Sequence, residues 1–172
     1  MNEASRLCLS CGAVEPIREG DLVWPAGWRC PACNVAVPVS HGFPMFAPAL
    51  ADTVSGMDPA NFAFLSRVEL EHFWFIPRGR LITRLINRHF PQGQALLEIG
   101  CGTGTVLSTL AKKRSWTRVV GSELHPAGLR IARNRLGELA ELVQMDARAI
   151  PAAGVFDVIG AFDVIEHIDD DE

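Results

Sequence analysis

The sequence predicts an α/β fold in which a parallel sheet follows a small cysteine-rich N-terminal module. Two observations support this prediction. From residue 95 onward, short apolar segments alternate with amphipathic segments of helical length, and four of the five cysteines lie in the first 33 residues. Strands that alternate with helices form parallel βαβ units, in which the helices cover the faces of the sheet.

Length and composition limit the classes of protein to consider. The chain has 172 residues, 48% of them hydrophobic, which is enough for one ordinary domain with a small appendage. A net charge of −4 gives no overall attraction to nucleic acid or to anionic membranes. The N-terminus has no basic-then-apolar signal region, and no apolar run reaches the ~20 residues needed to cross a bilayer. We therefore expect a cytoplasmic protein with no membrane partner, and nucleic acid is not favoured.

The N-terminal cysteines form two CxxC pairs, Cys8 with Cys11 and Cys30 with Cys33, and residues 12–29 separate the pairs. Two such turns supply four thiolates, which complete a tetrahedron around Zn²⁺ and leave no open position. We therefore predict a structural zinc site in a zinc ribbon over residues 1–46. Disulfides or redox dithiols are the alternative, which a reducing compartment disfavours.

The sequence around the second cysteine pair reads WRCPACNVAVPVSHGFPMF over residues 28–46. Its Val37-Pro38-Val39 and Gly42-Phe43-Pro44 segments resemble the zinc-ribbon proteins and N-terminal modules that accompany methyltransferases. A generic ribbon with no particular partner is the alternative. Residues 47–61 are rich in Ala, Pro, Asp and Ser without periodicity, which predicts a linker.

Residues 62–94 have helical periodicity, which predicts an amphipathic segment of two helices that break near Pro77. The expected apolar arc consists of Leu81, Ile82, Leu85, Ile86 and His89. An arginine row, Arg80, Arg84 and Arg88, borders this arc; a solvated helix face is the simpler interpretation and phosphate contact the alternative. We expect Phe73, Trp74 and Phe75 to belong to the core rather than to a substrate cage.

Residues 95–172 predict part of a Rossmann-like parallel sheet. The expected strands are residues 95–100, 117–123, 141–147 and 155–165, and the expected helices are residues 105–113 and 125–136.

The first strand runs into LLEIGCGTG, residues 96–104. A dinucleotide fingerprint that began at Gly100 and Gly102 would need its third glycine at Thr105. The segment from Glu98 to Gly104 instead resembles the first motif of the class I S-adenosylmethionine-dependent methyltransferases. Glycines let the backbone approach a ligand closely, and the resemblance implies that Glu98 accepts from the amino group of that ligand.

Acidic residues follow the next three strands in the order that this resemblance implies. Glu123 would bind the ribose hydroxyls, Asp146 the adenine amino group, and Asp163 would line the methyl-transfer pocket. Taken singly, each of them could be a helix cap or a turn residue. The implied cofactor site consists of Glu98, Gly100, Cys101, Gly102, Thr103, Gly104, Glu123, Leu124, Asp146, Ala147 and Asp163.

The DVIEHI segment, residues 163–168, resembles the bacterial quinone-biosynthesis methylases and other small-molecule methyltransferases of type 11. It implies His167 as a general base that removes a proton from the methyl acceptor. Two alternatives stay open: a Mg²⁺ site formed by Asp163, Glu166 and His167, and a simple helix start.

The expected function is methyl transfer from S-adenosylmethionine to an O, N or C nucleophile of a small molecule. The alternatives are an RNA methyltransferase with an N-terminal zinc module and a non-catalytic partner protein. The resemblance to this family implies a sheet of seven strands. The chain is therefore expected to be truncated after its fourth strand. That strand would then be an exposed edge through which a homodimer could form.

Overall fold

The computed structural model describes residues 3–51 and 58–168. In the N-terminal part, the elements are β1 (Ser5–Leu7), β2 (Val14–Pro16), β3 (Val39–Ser40), β4 (Phe43–Pro44), α1 (Pro59–Val68) and α2 (Phe75–His89). The elements that follow are β5 (Ala95–Ile99), α3 (Thr105–Lys113), β6 (Arg118–Ser122), α4 (Pro126–Leu136), β7 (Glu141–Val143), β8 (Ala152–Ala153) and β9 (Val158–Ala161).

Four strands form a parallel sheet in the order β7-β6-β5-β9, which confirms the predicted α/β fold. Both faces of the sheet are buried at the inner strand β5, as expected for a strand that reads as a continuous apolar run. Leu96 faces a core that includes Leu107 and Leu129 of the helices. Leu97, its neighbour in β5, faces the opposite core, which includes Trp24 from the N-terminal part of the chain.

The N-terminal residues are joined to the parallel sheet by backbone hydrogen bonds. Strand β1 pairs with β2 on one side and with β8 on the other, both antiparallel. Beyond β4, Met45 forms a parallel bridge with Gln144, which extends the sheet past β7. The domain boundary after residue 46 therefore stays a prediction. In the structure, residues on the two sides of this boundary are paired with each other.

The helices before β5 differ from the expected boundaries. Helix α1 begins at Pro59, inside the predicted linker, and Asp58 caps it by accepting from the N–H of Ala60 at 2.8 Å. The break between the helices lies at residues 69–74. Pro77 is in the first turn of α2, where its missing N–H removes no helical hydrogen bond.

The apolar surface of α2 is narrower than the predicted arc. Ile82 and Ile86 are buried, whereas Leu81 and Leu85 are exposed. Phe73 and Trp74 come just before this helix. The prediction that they belong to the core was wrong, because their side chains are 78% and 58% exposed. Spacing alone predicted the face of the helix but not how much of it a neighbouring element covers.

The fourth strand of the sheet, β9, is shorter than the predicted residues 155–165 and pairs with β5 alone among the described residues. Its Ile159 side chain is 55% exposed. Across residues 3–51 and 58–168, we find no helix with the length and apolar character that a membrane span requires.

Candidate cofactor site and metal site

Three glycines turn the chain sharply between β5 and α3. Gly100, Gly102 and Gly104 all have positive φ, at 64°, 54° and 76°. A Cβ at Gly100 would overlap Val164, and one at Gly104 would lie 3.0 Å from a methyl of Leu136. A Cβ at Gly102 would meet only a ring carbon of Phe62, at 3.9 Å, so the backbone is most open at this glycine.

Glu98 lies near the end of β5, immediately before the glycine turn, and only 3% of it is exposed. Its Oε2 atom has no hydrogen-bond partner among the described residues. Burial raises the pKa of this carboxyl to about 8; Arg78 opposes the shift and Glu123 adds to it. A buried polar atom without a partner is unusual in a folded protein, which makes this carboxyl a candidate for contact with a ligand.

Glu123 follows β6 and lies on the other side of the glycine turn. Its Oε2 accepts from the N–H of Gly102 at 2.9 Å, and its Oε1 accepts from the N–H of His125 at 3.0 Å. Burial raises its pKa, although these two backbone donors favour the charged form. The side chain is thus fixed against the turn, next to Leu124, whose carbonyl accepts from Gln144.

Arg78 on α2 brings a positive charge to the carboxyl end of the sheet. It forms an ion pair with Asp163 at 2.6 Å, and Asp163 itself has a φ of 59°. The periodicity of α2 gave no signal for Arg78, because its partner is 85 residues away along the chain, from 78 to 163.

The loop after β7 contains the two residues expected at the adenine. Asp146 accepts three hydrogen bonds from the guanidinium of Arg148, of which the shortest is 2.8 Å. Those hydrogen bonds lower its pKa. Ala147, which lies between Asp146 and Arg148 in the sequence, is half-buried. A ligand at Asp146 would therefore share this carboxylate with Arg148 or displace it.

His167 lies in a short 3-10 turn, Ile165–His167, beyond β9, and is exposed. Asp163 is paired with Arg78 rather than with Glu166 or His167. In the described ranges, no grouping of metal-binding side chains includes these three residues.

The four N-terminal cysteines do gather into one group, with every pair of sulfur atoms within 4.8 Å. The Sγ atoms of Cys8 and Cys33 are 3.7 Å apart, and those of Cys11 and Cys30 are 3.8 Å apart. A tetrahedral Zn²⁺ with bonds of about 2.3 Å to sulfur places its ligands about 3.8 Å apart. The donor set and its spacing therefore fit zinc.

The two cysteine pairs are held by the same kind of turn. The carbonyl of Cys8 accepts from Gly12 at 2.8 Å, and the carbonyl of Cys30 accepts from Asn34 at 2.9 Å. Gly12 and Asn34 both have positive φ, at 73° and 62°. All five cysteines of the chain are free thiols.

Residues 96–172 match a protein family described as a methyltransferase domain. These residues are similar in sequence and in fold to the class I S-adenosylmethionine-dependent methyltransferases. This methyltransferase domain begins at β5 and includes the glycine turn, Glu98 and Glu123.

Similar proteins support this assignment. The ubiquinone biosynthesis O-methyltransferase of Thiobacillus denitrificans is 30% identical over 132 residues, which are 68% of this chain and 55% of that protein. The chain thus spans about half the length of the curated relatives it matches.

Among solved structures, S-adenosylmethionine-bound CalS10, an amino pentose methyltransferase from Micromonospora echinaspora, aligns with a TM-score of 0.52 and 28% identity. The alignment covers 66% of this chain and 46% of CalS10. A putative S-adenosylmethionine-dependent methyltransferase from Methanococcus maripaludis shares the fold, with a TM-score of 0.57 at 20% identity over 66% of this chain and 53% of that one.

Proposed function

We propose that this methyltransferase domain binds S-adenosylmethionine at its glycine turn and transfers the methyl group to an O, N or C nucleophile of a small molecule. The observation that carries the proposal is the buried, unpartnered Oε2 of Glu98 beside the open backbone of Gly102. The cofactor supplies a methyl group already activated on a sulfonium. The chain therefore needs only to align the nucleophile with that methyl and exclude water.

In this proposal, the residues of the site have separate roles. Glu98 accepts from the ligand's amino group, and Glu123 contacts the ribose next to Leu124. Asp146 and Ala147 border the adenine, while Asp163 lines the transfer pocket. The turn itself contributes close backbone approach through Gly100, Cys101, Gly102, Thr103 and Gly104.

His167 is the general base of the proposal. It follows β9 at the same carboxyl edge of the sheet as Asp163, and its exposed imidazole is accessible to an acceptor. A neutral imidazole could take the proton of a hydroxyl or amine as the methyl group is transferred.

We also propose that Cys8, Cys11, Cys30 and Cys33 hold a structural Zn²⁺. The sulfur separations support this metal, and four thiolates leave no coordination position for substrate. None of the five cysteines forms a disulfide, which is typical of a reducing compartment and supports the proposal of a cytoplasmic location.

Two contacts favour a small molecule over RNA as the methyl acceptor. The guanidinium of Arg6 pairs with Glu15 at 2.9 Å, and that of Arg29 donates to the carbonyl of Asn34 at 2.6 Å. These two arginines are thus occupied within the N-terminal module itself. RNA-binding surfaces depend on basic side chains that can reach phosphates.

Calorimetry with S-adenosylhomocysteine tests the cofactor site. Gly102→Val should weaken binding by at least tenfold, since its branched side chain would fill the open side of the turn at a φ of 54°. Glu123→Ala should weaken it by a similar factor through the lost ribose contact. Glu71→Gln, an exposed position between the helices, is the matched control. Equal affinity in all four proteins would show that the ligand binds elsewhere.

A further inference from the structure

Glu69 is a buried carboxylate for which the proposed cofactor contacts have no role. It ends α1 and is only 8% exposed. A single oxygen, Oε2, accepts from the hydroxyls of Thr103 and Thr105, each at 2.5 Å. The same oxygen accepts from Nη1 of Arg135 at 2.9 Å.

The hydrogen bonds around Glu69 form a closed group. Nη1 of Arg135 also donates to the hydroxyl oxygen of Thr103 at 3.0 Å, and Nη2 donates to the carbonyl of Ser66 at 3.3 Å. Because both threonine protons go to Glu69, the carboxylate has three donors and the guanidinium has three acceptors. A buried ion pair that also accepts two hydroxyl hydrogen bonds holds its elements together, whereas removing one member of the pair leaves the other charge unpaired.

This group joins three elements around the glycine turn. Thr103 belongs to the turn, Arg135 lies in the last turn of α4, and Glu69 follows the last residue of α1. Near the other end of α1, Phe62 is 3% exposed and lies 3.1 Å from the position of a Cβ on Gly128. Helix α1 is therefore fixed across the turn at both ends.

We propose that Glu69 is a positioning residue for cofactor binding. Through Thr103 and Arg135 it fixes the shape of the glycine turn and holds α1, with Phe62, as one wall of the site. The Thr103 hydroxyl then connects Glu69 to the turn instead of contacting the ligand. The inference rests on the proposed function, because it assigns a partner to the same glycine turn.

The test compares S-adenosylhomocysteine affinity in the parent with that in Glu69→Gln, Thr103→Val and Thr103→Ser. Glu69→Gln and Thr103→Val should bind about tenfold more weakly, since each removes a charge-assisted hydrogen bond from the turn. Thr103→Ser keeps the hydroxyl and should restore parent affinity. The control Glu71→Gln should remain within about twofold of the parent, because its exposed side chain is outside the cluster.

A second measurement separates positioning from general stability. Hydrogen exchange of residues 59–69 should slow when the parent binds S-adenosylhomocysteine, and should respond much less in Glu69→Gln. All affinities are measured where thermal unfolding shows each variant fully folded. A merely structural role would lower the unfolding midpoint while leaving the dissociation constant unchanged.

The outcomes distinguish this inference from the proposal on which it rests. Parent-like affinity in both Glu69→Gln and Thr103→Val would overturn the role of Glu69 and leave cofactor binding intact. A parent that binds no S-adenosylhomocysteine would overturn both. If Glu69→Gln does not fold, Thr103→Val decides the question, because it leaves the Glu69–Arg135 pair in place.

Discussion

Replacing Glu98 with Gln should change how the stability of the protein depends on pH. Burial raises the pKa of Glu98 to about 8 from its ordinary value of 4.5. Between these two values the native state holds a proton that the unfolded chain releases. Unfolding therefore becomes more favourable as pH rises, and the stability of the parent falls across this window.

The magnitude follows from the size of the shift. Each pH unit inside the window costs the parent about 1.4 kcal/mol, so about 3.5 kcal/mol is lost between pH 5.5 and 8. Glu98→Gln has no proton to lose at this position, and its buried amide adds a cost of about 1 to 3 kcal/mol that does not vary with pH. The variant should be the less stable protein near pH 5.5 and the more stable one near pH 8.5.

Urea unfolding of both proteins at half-unit steps from pH 5.5 to 8.5 measures this difference. Glu123, Arg78 and the N-terminal cysteines are present in both proteins, so their contributions to the pH dependence largely cancel in the comparison. Saturating S-adenosylhomocysteine should flatten the pH dependence of the parent, because the ligand's ammonium favours the ionised carboxylate. Parallel stability curves for parent and variant without ligand would refute the buried, unpartnered state of Glu98.

Two further predictions concern the N-terminal cysteine group and the edge strand β9. Metal analysis should return about one zinc per chain, and chelation should unfold the N-terminal module, because structural zinc supplies roughly 10 to 16 kcal/mol of folding free energy; a folded, metal-free module would contradict the assignment. Light scattering should show dimers or aggregates formed through β9. Ile159→Lys should suppress them, because it places a charge on the exposed edge strand. A monomeric parent protein would contradict this prediction and show that the edge is protected.

The sequence was most informative where local pattern alone determines structure. Helix α3 spans Thr105–Lys113, as predicted, because the glycine turn marks its start and its apolar spacing is regular. The cysteine group was predictable for a similar reason, since the two CxxC turns bring their own ligands together. Helix α3 and each single CxxC turn depend on residues within a few positions of one another, and the expected metal gave the reason for the two turns to meet.

Contacts between distant segments had no such local signal. Glu69 meets Thr103 and Arg135 across 34 and 66 residues, and nothing in the sequence near Glu69 distinguishes it from the exposed Glu71. Asp146 was predicted as a ligand contact, yet its pairing with Arg148 depends on the local shape of a loop that periodicity does not describe. Burial and partner choice are tertiary properties, so these details required the structure.

The connection between the N-terminal residues and β8 has a consequence for the order of folding during synthesis. The indole N–H of Trp24 donates to Pro151, 127 residues later, and the N–H of Val23 donates to Glu141, 118 residues later. On the ribosome, the cysteine turns and the β1–β2 pair can close early, but β1 must wait for residues 152–153 to emerge before its second partner, β8, exists. Residues 23 and 24 thus reach their final contacts only after residues more than a hundred positions later have been made.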